Sequence, residues 1–337
     1  MLTFIVKRLL QLPITLLAIS MLVFALTQAL PADQRATAYI TNEKQLNQIP
    51  AIIQTYHLNE NVLKQYGVWI AKVLRGNLGY STSARESVVQ ALAQYFPATI
   101  ELVTVAIIPI VSFGVLLGIF AGVYRNRWPD QLARLIAIVG SALPSFVLGI
   151  FLLAWLYGNL QLFPPGRISD SLSYSLPSVD GFLLFRSLGQ GNWTVVTDLL
   201  RHMVLPVFIL TLISSAQLVR VTRGSMIEQM QQDYVRTARS KGLTERRVIT
   251  RHALRNVLIP VVTLIGLLFV ALLGGVTITE TVFNYPGIGA WSARGATLLD
   301  VNGVIGYTLV IASLTVITNT VVDVLYGVID PRVRFDG

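Results

Sequence analysis

The residue types that perform covalent or metal chemistry are scarce in this chain. Cysteine is absent and there are three histidines, His57, His202 and His252, far apart and in no His-Glu-x-x-His spacing. That removes thiolate sites and gives no metal cluster by spacing. No Gly-x-Ser-x-Gly turn presents a serine nucleophile. No Gly-Lys pair occurs, so the loop that cradles nucleotide phosphates is missing as well. What stands out instead is a concentration of cations, nine Lys and Arg between Arg220 and Arg255. Arg236, Arg239, Arg246 and Arg247 flank Gly242, an arrangement suited to gripping acidic groups on a partner.

Local signals shape that stretch. Asp233 is expected to cap a short helix, Tyr234 to Lys241, bearing the small residues Thr237, Ala238 and Ser240. Gly242 ends it, and Thr244 can cap a second short helix, Glu245 to Leu254. Two helices about a glycine turn make a knob whose small face could enter a cleft while arginines meet its rim. The alternative, a basic loop held on anionic lipid headgroups, needs neither the turn nor the small face.

The elements that must position this knob are apolar. Of 337 residues 53% are hydrophobic and 13% charged, where soluble domains have about 25% charged. Six stretches contain no Asp, Glu, Lys or Arg: Leu9 to Leu30, Leu102 to Tyr124, Leu135 to Leu160, Met203 to Val219, Asn256 to Thr279 and Val301 to Val322. About 20 helical residues cross a bilayer core, a length that only the fourth stretch falls short of. Charge resolves that one. With the N-terminus inside and six spans, sixteen Lys and Arg and seven Asp and Glu face inward, against ten and ten outward. The whole excess of +9 then obeys the positive-inside bias. Such short basic loops do not form the folded basic face that nucleic-acid binding requires. The first stretch exceeds a signal-peptide h-region and is read as an uncleaved span.

Between the spans, residues 31–101 form an extracytoplasmic cap, in which Leu63, Tyr66, Ile70 and Val73 recur at helical spacing. That stripe fits a helix lying on the membrane or protein surface, or the core of a small subdomain. Gln161 to His202 reads as loop with short helices at most, and Asn284-Tyr285-Pro286-Gly287 as a turn. Pro109, Gly114, Gly118, Gly140, Pro144, Gly266, Gly274 and Gly275 lie within spans, where small residues permit close helix packing and Pro kinks helices. An ion-coupled transporter would place ionisable residues mid-membrane, and the six stretches hold none; Glu280 and Asp323 only flank spans.

At this point the chain resembles the membrane subunits of binding-protein-dependent ABC importers, in particular the dipeptide and oligopeptide branch. Asp233, Tyr234, Arg236 to Ala238, Lys241 to Leu243, His252 to Asn256 and Pro260 match that branch's loop. The general motif of these importers, Glu-Ala-Ala with a later Gly and Ile-x-Leu-Pro, survives here only at Ala238, Gly242 and Leu254. Further matches are Arg75 to Gly79, Phe96 to Thr99 with Glu101-Leu102, Thr279 to Phe283 leading to Pro286-Gly287, Asp323, Tyr326 and Asp330 to Arg334.

The resemblance implies an all-α polytopic membrane protein with six transmembrane helices and a type I ABC importer-like permease fold. Its expected parts are a first helix over 1–30, the cap over 31–101, and a five-helix core over 102–337 with a coupling loop at 220–255. Asp233, Tyr234, Arg236, Thr237, Ala238, Lys241, Gly242, His252 and Leu254 would couple to an ATPase, and Thr279, Glu280 and Phe283 would line a pathway or gate. Implied partners are a second homologous permease, two ATP-binding subunits, an extracytoplasmic peptide-binding protein and membrane lipid, with no cofactor and no catalysis of its own. Both termini would face the cytoplasm. Peptides are the expected solute, with nickel, glutathione or sugars as alternatives within the branch.

Overall fold

The computed structural model describes residues 2–40, 43–56 and 58–329. His57 and the motif from Asp330 to Arg334 lie outside the described residues, as do the side chains of Asp323 and Tyr326. Among the described residues the regular structure is helical apart from one two-stranded hairpin, β1 (Tyr80–Ser81) and β2 (Glu86–Ser87). Before the hairpin come α1 (Leu2–Thr27), α2 (Ala32–Ala36), α3 (Ile49–Thr55) and α4 (Val62–Leu74). After it come α5 (Val88–Val123), α6 (Trp128–Ala142), α7 (Ser145–Leu152), α8 (Asp170–Ser175), α9 (Leu183–Gly189) and α10 (Trp193–Met230). The chain ends with α11 (Asp233–Ser240), α12 (Glu245–Arg247), α13 (Leu254–Gly275), α14 (Thr277–Val282), α15 (Ile288–Thr297) and α16 (Val301–Ile329).

Among the described residues five helical segments are long and apolar enough to cross a membrane: Leu10–Thr27, Val88–Val123, Trp193–Met230, Glu245–Gly274 and Val301–Val322. The third expected span is different. Between α6 and α7 the axis turns by 98°. The cause is local: Pro144 forces the preceding Leu143 out of helical dihedrals, to φ −87° and ψ 126°. The pair counts as one broken span or a re-entrant loop, so the total is five, or six with it.

Two helices run well beyond their apolar stretches. α5 has 36 residues and starts at a capping box between Ser87 and Gln90, so it crosses the boundary expected at residue 101. α10 has 38 residues, about 57 Å at 1.5 Å per residue, and converts the end of the expected 161–202 loop and the start of the 220–255 loop into helix. The short fourth stretch is therefore the middle of the longest helix. Three glycines spaced by four, Gly114, Gly118 and Gly122, let α5 lie against Leu218, Thr222 and Met226 of α10. The main core follows this seam through Leu102, Ala106, Ile110, Leu199, Met203, Leu218 and Met226 and extends onto Val257, Val261 and Leu268 of α13.

Buried carboxylates at the helix ends tie the layers together. Asp130 accepts from the Asn126 N–H (2.8 Å), from Arg134 Nη2 (2.8 Å) and from Arg223, joining α6 to α10. Glu101 of α5 pairs with Arg167 at 2.7 Å and accepts the N–H groups of Leu184 (2.7 Å) and Phe185 (3.2 Å). Arg167 in turn donates to the carbonyls of Val179 and Gly181, so one ion pair fastens the irregular 161–189 segment to the bundle. Asp300 accepts from Ser81, from the N–H and hydroxyl of Ser83 and from the Gly303 N–H, latching the β-hairpin onto the start of α16.

Candidate functional site

At one end of α10 and α13 the residues 231–253 form the expected knob. α11 begins one residue earlier than anticipated: Gln232 occupies the cap position without a side-chain bond, and Asp233 is the first helical residue. Its carboxylate is exposed and lies 3.5 Å from Arg236. The helix stops at Gly242, whose φ of +76° is the left-handed conformation that glycine adopts without a Cβ penalty. There the Gly242 N–H donates to the Arg239 carbonyl (2.9 Å) and the Leu243 N–H to the Ala238 carbonyl (3.4 Å), closing the last turn. Thr244 sits at the cap of α12 with extended dihedrals, but its hydroxyl makes no capping bond. From Val248 to Ala253 the chain forms a wide π-type turn and passes directly into α13.

The knob has its own small core. Val235, Ala238 and Val248 are buried together, with Tyr234 and Leu243 packed against them. Ala238 therefore serves the interior of the knob rather than its outer surface. Exposed on α11 are Asp233, Arg236, Thr237, Arg239 and Ser240, followed by Lys241 and Gly242. Arg239 is partly neutralised by Glu245 across the turn at 2.7 Å, whereas no hydrogen bond or ion pair holds the Arg246 or Arg247 side chain among the described residues. Tyr234 plants the knob on the bundle: its hydroxyl donates to Gln229 of α10 (2.7 Å) and accepts from Asn256 of α13 (3.0 Å). His252 lines a basic cavity of about 410 Å³ with Leu243, Arg247 and Arg251, and Leu254 opens α13.

The residues expected at a pathway or gate lie together on and just after α14. Thr279, Glu280 and Phe283 are all buried within this chain. Glu280 accepts from the Thr99 hydroxyl (2.6 Å) and the Ala290 N–H (2.9 Å), while Thr99 accepts from the Ile288 N–H (2.9 Å). A Cβ on Gly287 or Gly289 would run into that carboxylate, the reason glycine stands at both positions of the turn. Burial pushes the Glu280 carboxyl above its ordinary pKa, and the three hydrogen bonds from Thr99, Ala290 and Gly289 pull it back. This is a clamp holding α14, α15 and α5 together. Beside it, Thr281, Asn284 and Arg294 line an open cavity of about 320 Å³. The periodicity of the sequence gave no sign of that cavity, because its lining comes from two short helices that no apolar pattern marks.

Glu280→Gln tests the clamp. The amide carries two N–H donors where the site supplies only donors, so one buried group loses its partner at a cost of about 1–3 kcal/mol. A lower melting temperature in detergent is expected, and an unchanged one would show that the clamp holds nothing.

The class these features define is a polytopic α-helical membrane protein with a basic knob at one end and no nucleotide-binding loop of its own. Residues 114–335 match the family described as binding-protein-dependent transport system inner membrane component, and residues 1–103 match the N-terminal part of such membrane components. The chain belongs to this family and is the membrane permease component of an ABC import system, a multi-pass protein of the inner membrane. Such systems work with a solute-binding protein and an ATPase. It is 38% identical to the probable D,D-dipeptide transport system permease protein of Escherichia coli strain K12, over 85% of this chain and 84% of that one. The dipeptide transport system permease protein of the same strain is 37% identical over 99% of both chains. The glutathione transport system permease protein of Shigella flexneri serotype 5b is 35% identical over 99% of this chain and all of that one.

Proposed function

We propose that this permease forms half of the path by which an ATP-driven importer brings short peptides across the inner membrane. The knob at 231–253 is its coupling element. In this reading Asp233, Arg236, Thr237, Lys241 and Gly242 face a cleft of an ATPase subunit, and His252 and Leu254 transmit its movement into α13. Tyr234 and Ala238 hold the knob in shape. The observation that carries this is a self-packed hairpin with a polar, cationic outer face, rooted through Tyr234 in two of the long helices. Movement imposed on such a unit is passed to α10 and α13 as rigid elements. A second homologous permease completes the path, two ATPases sit beneath, and a peptide-binding protein delivers solute to the capped face. The knob and both termini lie in the cytoplasm. Residues 31–101 act as the extracytoplasmic cap, and the chain itself catalyses nothing.

Peptides are favoured because relatives at 36–38% identity carry dipeptide or di/tripeptide names. Glutathione, itself a peptide, is the second reading, from relatives at 35%. The test is uptake of a radiolabelled dipeptide library and of glutathione into proteoliposomes holding the whole complex, its binding protein and ATP. Dipeptide uptake that stops when ATP or the binding protein is withheld is expected. Transport by this chain alone, or labelling of the knob from outside intact cells by an impermeant reagent, would overturn the reading.

Gly242→Val gives a sharper test of coupling. No atom lies within 4 Å of a Cβ at this position, so the cost of the change is set by backbone strain and not by a clash at the Cβ. A β-branched residue in a left-handed turn costs about 1–2 kcal/mol, enough to re-aim the knob while leaving the bundle folded. Substrate-stimulated ATP hydrolysis and uptake are expected to fall together, and Gly242→Asn, which tolerates that conformation, to restore both. An unchanged stimulated ATPase rate in Gly242→Val would remove the knob from the coupling path.

A further inference from the structure

Helix α4 carries three faces, and two of them have an evident environment. Gln65 and Trp69 turn into the protein, where Gln65 bonds the carbonyls of Leu58 and Glu60 and accepts from Arg35 at 2.7 Å. Lys64 lies in water, 74% exposed and paired with Glu60 at 3.7 Å. The third face is a stripe of Leu63, Tyr66, Ile70 and Leu74 in steps of three and four, about a third of a turn from the buried pair. Along it Leu63 is 77% exposed and Leu74 81%. The periodic set Leu63, Tyr66, Ile70 and Val73 is therefore only half-buried at Tyr66, Ile70 and Val73, and Leu63 and Leu74 at the two ends of the stripe are open.

The contacts of Tyr66 show where that stripe points. Its hydroxyl reaches Ser20 of α1 at 2.8 Å, and Phe24 of α1 packs between the rings of Tyr66 and Trp69, 5.4 Å from each. Ser20 stands seven residues before the end of α1 at Thr27, about 10 Å down the axis of a helix that crosses a core about 30 Å thick. Tyr66 therefore points along α1 toward the bilayer, and on the face of α1 that carries Ser20 and Phe24 the neighbouring Leu17 and Met21 are exposed and apolar.

We infer that α4 lies in the plane of the membrane, in the leaflet beside the cap, with Leu63, Tyr66, Ile70 and Leu74 seated among lipid acyl chains. The occupant is lipid because the stripe continues the surface of a transmembrane helix, because Tyr66 suits the headgroup boundary, and because Lys64 and Lys72 both lie off the stripe. The cap is thereby held at a set height above the bilayer by its own chain and not by α1 alone.

The lack of cysteine makes the test direct. Single cysteines at positions 63, 64, 71 and 74 of the full chain, nitroxide-labelled in proteoliposomes, report collision with oxygen, which favours lipid, and with a water-soluble nickel chelate. An oxygen-to-nickel collision ratio several-fold higher at 63 and 74 than at 64 and 71 is expected. Equal nickel access at all four would put the stripe in water. Exclusion of both reagents at 63 and 74 would mean that a protein covers it. Either result overturns the inference. A Leu63→Trp variant, quenched by brominated lipid if the inference holds and unquenched if it fails, gives a second readout should labelling perturb the helix.

Discussion

Arg167→Met is expected to cost about 3–5 kcal/mol of stability, because it leaves Glu101 as a buried carboxylate without its cation. Glu101 is wholly buried and Arg167 6% exposed, and the pair is bonded at 2.7 Å. The remaining donors on Glu101, the N–H groups of Leu184 and Phe185, stabilise a carboxylate but supply no charge. The loss reaches beyond the pair. Arg167 also bonds the carbonyls of Val179 and Gly181, so its removal frees the segment that links α7 to α9. Glu101→Leu combined with Arg167→Met removes both charges and should recover part of the loss, leaving the cost of the orphaned backbone groups. Thermal melting of the four proteins of this cycle in one detergent measures the coupling. If Arg167→Met melted with the parent protein, the buried pair would have no structural role.

Gly118→Leu is expected to prevent the folded bundle from forming. A Cβ built on Gly118 falls 2.5 Å from the Thr222 Cβ and 3.0 Å from the Val219 carbonyl oxygen, whereas carbon atoms in contact sit about 3.5–4.0 Å apart. The obstacle on one side is backbone, which no rotamer change relieves. A leucine must therefore drive α5 from α10 along the seam where Gly114 and Gly122 sit equally close to Leu218 and Met226, at 2.8 and 2.5 Å. Pairing of apolar helices within lipid depends on this close packing, since the tails solvate either helix as well as the other does. The expected result is little monodisperse protein after extraction. Gly224→Ala serves as its control. It lies on α10 with no atom within 4 Å of its Cβ, and alanine favours helix by up to about 1 kcal/mol. Equal yields of Gly118→Leu and Gly224→Ala would show that the seam does not govern assembly.

Much of the architecture is readable from residue order, and the places where reading fails share a cause. Apolar length and the sidedness of Lys and Arg give the spans, since a bilayer has one thickness and imposes one charge bias. The turn at Gly242 is readable because a left-handed conformation selects glycine locally. Composition does not distinguish a straight span from one bent through 98° at Leu143 and Pro144, since both are equally apolar. Nor does it give the length of α10, whose charged ends stay helical because they pack on neighbours such as Asp130.

The candidate site divides the same way. Gly242 and the cationic rim of the knob follow from sequence, whereas the inward turn of Ala238 depends on Val248 crossing beneath it. Glu280 was legible as a residue flanking a span. Its role as a clamp depends on Thr99, more than 180 positions away, arriving beside Ala290. Sequence alone thus determined that the chain crosses a membrane and where a glycine turn breaks a basic loop. Those are properties of local backbone preference and of transfer between water and lipid. Tertiary structure decided which carboxylates are buried, which glycines are contacts and which apolar stripe is left open, because each depends on what a distant part of the chain places against it.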